Sequence, residues 1–172
     1  MLLVKATEMP HDFSMWVLNC FDPMRSELVI TGRGTIKVDG DSFQRVFGLV
    51  NEGTPARFEM DTDAVIFMNE EYDVKSGIAP TFAEWCKKIE AMDGVADMKF
   101  LRAYLAGVMS CFICPTTKCS ISPRCYGVLR NLEEAKGTNF AQLAVDQIVA
   151  EVKTMGSKKM SVCCCVLHLL VK

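Results

Sequence analysis

Six prolines divide this 172-residue chain more firmly than any other feature of its sequence. The proline ring removes a backbone donor and pushes the preceding residue out of helical geometry, so a helix stops before a proline or starts at one. Asp22-Pro23 ends a segment in which Phe13, Trp16, Val17 and Cys20 recur at the three-and-four spacing of one helix face. Pro80 precedes the capping-box pair Thr81 and Glu84, and the stripe Phe82, Trp85, Ile89 and Met92 follows. Met98, Leu101, Leu105, Val108, Met109 and Phe112, flanked by Tyr104, give the stripe of a longer central helix that Cys114-Pro115 stops. Ser122-Pro123 then supplies an N-cap and a preorganised first helical residue. Asn139 and Gln142 open a further helix with Phe140, Leu143, Ile148 and Val152 on its face, and Gly156-Ser157 ends it. Residues 162–171 are apolar on nearly every side, as in a helix surrounded by others.

One stretch reads differently. Leu28 and Ile30, then Ile36 and Val38, alternate with other residues on the two sides of Thr31-Gly32-Arg33-Gly34, the pattern of a β-hairpin. Gly32 and Gly34 fit turn geometry, whereas a phosphate-binding loop needs a Lys and a Ser or Thr opening a helix. Asp41, with Gln44 three positions on, reads as the cap of a short helix bearing Phe43, Val46 and Phe47 and closed by Gly48. Residues 50–80 are acidic and aperiodic and read as an irregular solvated connection. Asp61, Asp63, Glu70, Glu71 and Asp73 there lack the spacing and the glycine of a calcium loop. The expected fold is mainly α, a multi-helix bundle-like single domain over 1–172 with one small β-hairpin near the N-terminus.

Composition narrows the function classes. Half of the residues are hydrophobic, which excludes the disordered class. Lys and Arg number 19 against 21 Asp and Glu, a net charge of −2, so overall charge gives nucleic-acid binding no support. Lys87-Lys88 and Lys158-Lys159 read as solvated helix faces or ends. Nine cysteines without a recognisable secretory signal point to a reducing, intracellular compartment, and the odd count argues against a complete disulfide framework. The apolar run 162–171 is well short of the roughly 20 residues that span a bilayer.

Two constellations invite a chemical reading. Cys111, Cys114, Cys119 and Cys125 fall in one window and would be the ligands of a metal-stabilised module. Structural zinc, however, is usually held by two close ligand pairs, and Cys119 and Cys125 do not make a second one. The favoured reading is sulfur within helix punctuation. Cys164 and His168 share a face at one-turn spacing and suggest a thiol nucleophile with its base. Their neighbours Val162, Val166, Leu167 and Leu169 favour burial instead, and burial without a cation raises a thiol pKa. His11, beside Pro10 and Asp12, reads as a turn residue with no tie to a nucleophile.

Four blocks in order carry a family resemblance: WVLNCFDPMRSELVI, IKVDGDSFQRVFGLVNEG, FLRAYLAGVMSCFICPTTKCSISPRCYGVLRNL and NFAQLAVDQIVAEVKTM. Together they resemble the aminotransferase-like plant mobile domain, found in transposon-derived plant proteins and often joined to a ubiquitin-like (SUMO) protease domain. In the third block Cys114, Pro115, Thr116, Ser122 and Pro123 match the pattern, while Cys111, Cys119 and Cys125 stand outside it. The resemblance implies a mainly helical, non-enzymatic nuclear scaffold or interaction module with a protein or nucleic-acid partner and no cofactor. It also implies a chain truncated at its C-terminus, such as the non-catalytic N-terminal part of a protease polyprotein. It does not imply transamination, for which a Schiff-base Lys and a phosphate cup would be needed. Arg33 and Lys37, near the hairpin tip, are the expected interaction residues.

Overall fold

The computed structural model describes residues 11–154 apart from 76, 93, 95 and 117. It is mainly helical, with a small antiparallel three-stranded sheet near the N-terminus. Where the sequence suggests one domain, the chain gathers into two compact units, the first from the N-terminal residues through Pro55 together with the chain from Asn139 onward, the second spanning Ala56–Thr138.

In the first unit α1 (His11–Asn19) leads into β1 (Phe21–Asp22), β2 (Glu27–Ile30) and β3 (Gly34–Lys37). The expected hairpin is β2–β3, with Leu28 opposite Ile36 and Ile30 opposite Gly34. Gly32 and Gly34, at φ 76° and 122°, give the turn the left-handed geometry that other residues resist. A third strand, β1, joins it because Phe21 lies opposite Leu28, and both bury their side chains. Asp22 makes the turn at Pro23 by accepting from the Met24 amide at 2.8 Å.

Helix α2 (Gly40–Phe47) begins one residue before the expected Asp41. Asp39 is its cap, accepting from the Ser42 amide at 2.9 Å, because Asp39 is the last residue still extended. Asp41 lies in the first turn and accepts from Asn51 Nδ2 at 2.6 Å. Gly48 closes the helix at φ 68°, as its position suggests. Phe43 and Val38 are buried, and α2 packs on α8 (Phe140–Thr154), which buries Ala141, Ala144, Val145 and Ile148. Asn139 starts α8 by accepting from the Gln142 amide at 2.8 Å. Asn51 also accepts from Asn139 Nδ2, so one side chain joins the starts of α2 and α8. A Cβ on Gly40 would collide with Asn51, which explains a glycine at the first position of a helix.

The second unit contains α3 (Thr62–Glu71), α4 (Phe82–Glu90), α5 (Met98–Val108), a π-helical turn at Met109–Ile113, a 3₁₀ turn at Pro123–Cys125, α6 (Tyr126–Arg130) and α7 (Leu132–Lys136). Helix α3 corrects the reading of 50–80 as irregular. Five consecutive apolar residues, Ala64 to Met68, hide the helical period, but only Ala64 and Met68, one turn apart, are deeply buried. The acidic residues that suggested a solvated connection belong to the helix ends, with Asp61 accepting from the Ala64 amide at 3.0 Å. The Thr81–Glu84 capping box of α4 forms as expected. Trp85, Met68, Tyr126 and Leu129 lie in the core of this unit.

Candidate thiol site and hairpin surface

The sulfur-rich window is built on the packing of α4 against α5. Trp85 is 0% exposed and donates through Nε1 to the Ala103 carbonyl at 2.8 Å. Gly107 lies against the aromatic rings: a Cβ there would make ordinary contact, 3.6 Å from Trp85 and 3.8 Å from Phe82. The face of α5 turned inward is therefore the small one, Ala103, Ala106 and Gly107. This corrects the expected stripe. Met98, Leu101 and Phe112 are 49%, 39% and 43% exposed, Leu105 and Val108 are half-buried, and Met109 alone of that set is buried.

At the end of α5 the Cys114 amide donates to the Met109 carbonyl at 2.8 Å, the wider spacing of a π turn. Ser110 is buried there and accepts from the Ser122 amide at 2.9 Å. Cys125 donates to the Ser122 carbonyl at 2.9 Å, and its sulfur lies 4.0 Å from Ser110 Oγ. Burial pushes the Cys125 thiol up to about 12, so it stays protonated at neutral pH. Protonated and shut away from water, it is poorly suited to act as a nucleophile or a metal ligand.

The four cysteines of the window thus separate. Cys114 and Cys125 are buried, Cys119 is exposed and Cys111 is half-buried. Burial raises the Cys111 thiol, and negative charge on Cys86 or Cys119 would raise it further. Cys86, one turn after Phe82 on α4, is the neighbour that sequence reasoning missed, since nothing in the chain order connects it to Cys111. Among the described residues no three His, Cys, Asp or Glu side chains gather as a metal-ligand set. Cys164 and His168 lie outside the described residues, and His11, expected in a turn, is the first residue of α1.

On the hairpin, Arg33 occupies the turn between the two glycines and donates its amide to the Ile30 carbonyl at 2.9 Å. Both Arg33 and Lys37 are exposed, and their neighbourhood is not uniformly basic. Arg25 faces Asp22 at 3.9 Å, and Lys37 and Arg45 bear on Asp39. The Ser42 amide is the main cause that holds the Asp39 carboxyl below its usual range. Among the described residues no helix is long and apolar enough to cross a membrane.

A family model described as a domain of unknown function, DUF8566, matches residues 1–171. No curated protein and no solved structure matches the chain.

Proposed function

From the premise that the chain belongs to the DUF8566 family, we propose that it is a non-enzymatic interaction module that binds a protein partner through the outward stripe of α5. The observation that carries this reading is Met98, Leu101 and Phe112 on one face of α5 and its π-helical extension, all large, apolar and exposed. Such a face costs solubility unless something covers it, and apolar faces of this kind are read by partner chains at three-and-four spacing. The four-block similarity to the plant mobile domain supports a transposon-derived origin and a nuclear setting within the same proposal.

Proximity labelling in cells tests the partner. The labelled set should collapse when Leu101 and Phe112 are both changed to Glu, while far-ultraviolet circular dichroism of the purified variant stays unchanged. An identical labelled set from the folded variant would overturn the reading. A fluorescent fusion excluded from the nucleus would remove the nuclear part alone. Nucleic acid is the weaker partner class, because acids stand beside the bases of the hairpin. A mobility-shift assay at low salt should show no complex that depends on Arg33 and Lys37.

A further inference from the structure

Cys86 on α4, Cys111 in the π turn after α5 and Cys119 in the loop that follows all belong to the second unit, and none of them is deeply buried. Charge on Cys86 or Cys119 would bear on Cys111, and the proposal above uses none of the three. Phe82 fixes the arrangement. Its amide donates to the Cys119 carbonyl at 2.9 Å, and the Ile121 amide donates to the Pro80 carbonyl at 2.9 Å, so the backbone pins Cys119 beside the first residue of α4. The Phe82 ring meets α5 at Gly107, whereas Trp85, three residues on, reaches back to Ala103. Chain advancing along α5 therefore approaches the N-terminal end of α4. Cys111 follows Gly107 by four residues, in the π turn that continues α5 toward the end where Cys119 is held.

We propose that Cys111 and Cys119 are a thiol-exchange site that takes small-molecule disulfides and closes a reversible bridge between the two residues. The exposed Cys119 reacts first: its thiolate attacks one sulfur of the disulfide RSSR, forms a mixed disulfide and releases RS⁻. Cys111 then gives its proton to solvent, and its thiolate attacks the Cys119 sulfur and expels the second RS⁻. Two protein thiols are oxidised and one RSSR is reduced to two RSH. Cys111 suits the second role because burial and its sulfur neighbours hold its proton on. Cys119 has a left-handed backbone at φ 49°, unusual for a residue other than glycine.

Oxidised glutathione added to the full chain is the probe, followed by acid quenching, thiol blocking and tryptic mapping without reductant. Cleavage after Arg102, Lys118 and Arg124 leaves Cys119 as the one cysteine of 119–124 and puts Cys111 and Cys114 on 103–118. The expected product joins these two peptides through Cys111, as located by fragment ions between 111 and 114, and disappears on reduction. It should persist in Cys86→Ser and vanish in Cys119→Ser, whose exposed position leaves the fold intact. Below the Cys111 pKa, closure should speed up about tenfold per pH unit as its thiolate fraction grows. Glutathione on Cys119 without a bridge, a bridge to Cys86 or Cys114, or an unmodified 119–124 peptide would each overturn the proposal.

Discussion

Helices α2 and α5 both carry apolar stripes legible in the sequence, yet only α2 turns its stripe inward. Around α2, Phe43 is buried and the half-buried Val46 and Phe47 lie on the same side, so pattern and packing agree. Around α5 the large residues Met98, Leu101 and Phe112 face out, and Ala103, Ala106 and Gly107 face in. The cause is the partner. Trp85 is a large flat ring with an indole N–H to satisfy, and it needs a shallow surface with a reachable carbonyl, which small residues provide. Helix burial is decided by complementarity with the neighbour, and apolar spacing alone does not identify the buried face.

The sharpest way to break this comparison is at Trp85. Trp85→Ala should cost about 3–5 kcal/mol in urea unfolding, as for large aromatic truncations in cores, whereas Phe112→Ala should cost under about 1 kcal/mol. Similar losses at the two sites would mean that α5 does not present its small face to α4.

Alkali probes the same unit through Cys125. Its folded pKa is raised from 9.0 to about 12, so the contribution of the protonated, buried thiol is complete below pH 9 and is lost as pH rises toward 12. At pH 10.5 that loss is about 2 kcal/mol, at roughly 1.4 kcal/mol per unit. Burial raises Tyr126 as well, which acts in the same direction. Cys125→Ala should flatten part of the alkaline slope, read from unfolding midpoints between pH 8 and 11.

Two helical glycines sharpen the contrast between the units. Gly40→Ala forces a Cβ into Asn51 and should cost about 1 kcal/mol or more. Gly107→Ala meets only ordinary contacts and should be neutral or gain up to about 1 kcal/mol through backbone entropy. The smallest effect distinguishes two neighbouring acids: Asp39→Ala should cost about 1 kcal/mol as a lost cap, and Asp41→Ala less. Because the folded pKa of Asp39 is lowered, its contribution is present above the ordinary carboxylate value and is lost as pH falls through the folded one.

What was legible in the sequence follows from how local each signal is. The Thr81–Glu84 box, the Asn139 cap, the Gly48 stop and the hairpin glycines each depend on a few adjacent residues, and all formed. Helix α3 was obscured because Val65, Ile66 and Phe67 fill the positions between Ala64 and Met68, leaving no period to read. Strand β1 depends on pairing with β2, and two residues carry no alternation. The difference between Asp39 and Asp41 as caps rests on where the extended chain turns, within the uncertainty of any boundary read from pattern. In the thiol window, the proximity of Cys86 to Cys111 is a property of helix packing, and the burial of Cys125 depends on Ser110 turning inward at the π turn.

The inward small face of α5 is the claim on which both the docking stripe and the thiol site depend, and paired charge insertion tests it most directly. Leu101→Glu should leave the chain folded, with a urea midpoint shifted by no more than about 0.5 kcal/mol in stability, as for surface positions. Ala106→Glu should abolish cooperative unfolding, because a carboxylate would be placed at a fully buried position of the core. A tolerated Ala106→Glu together with an unfolded Leu101→Glu would contradict the account.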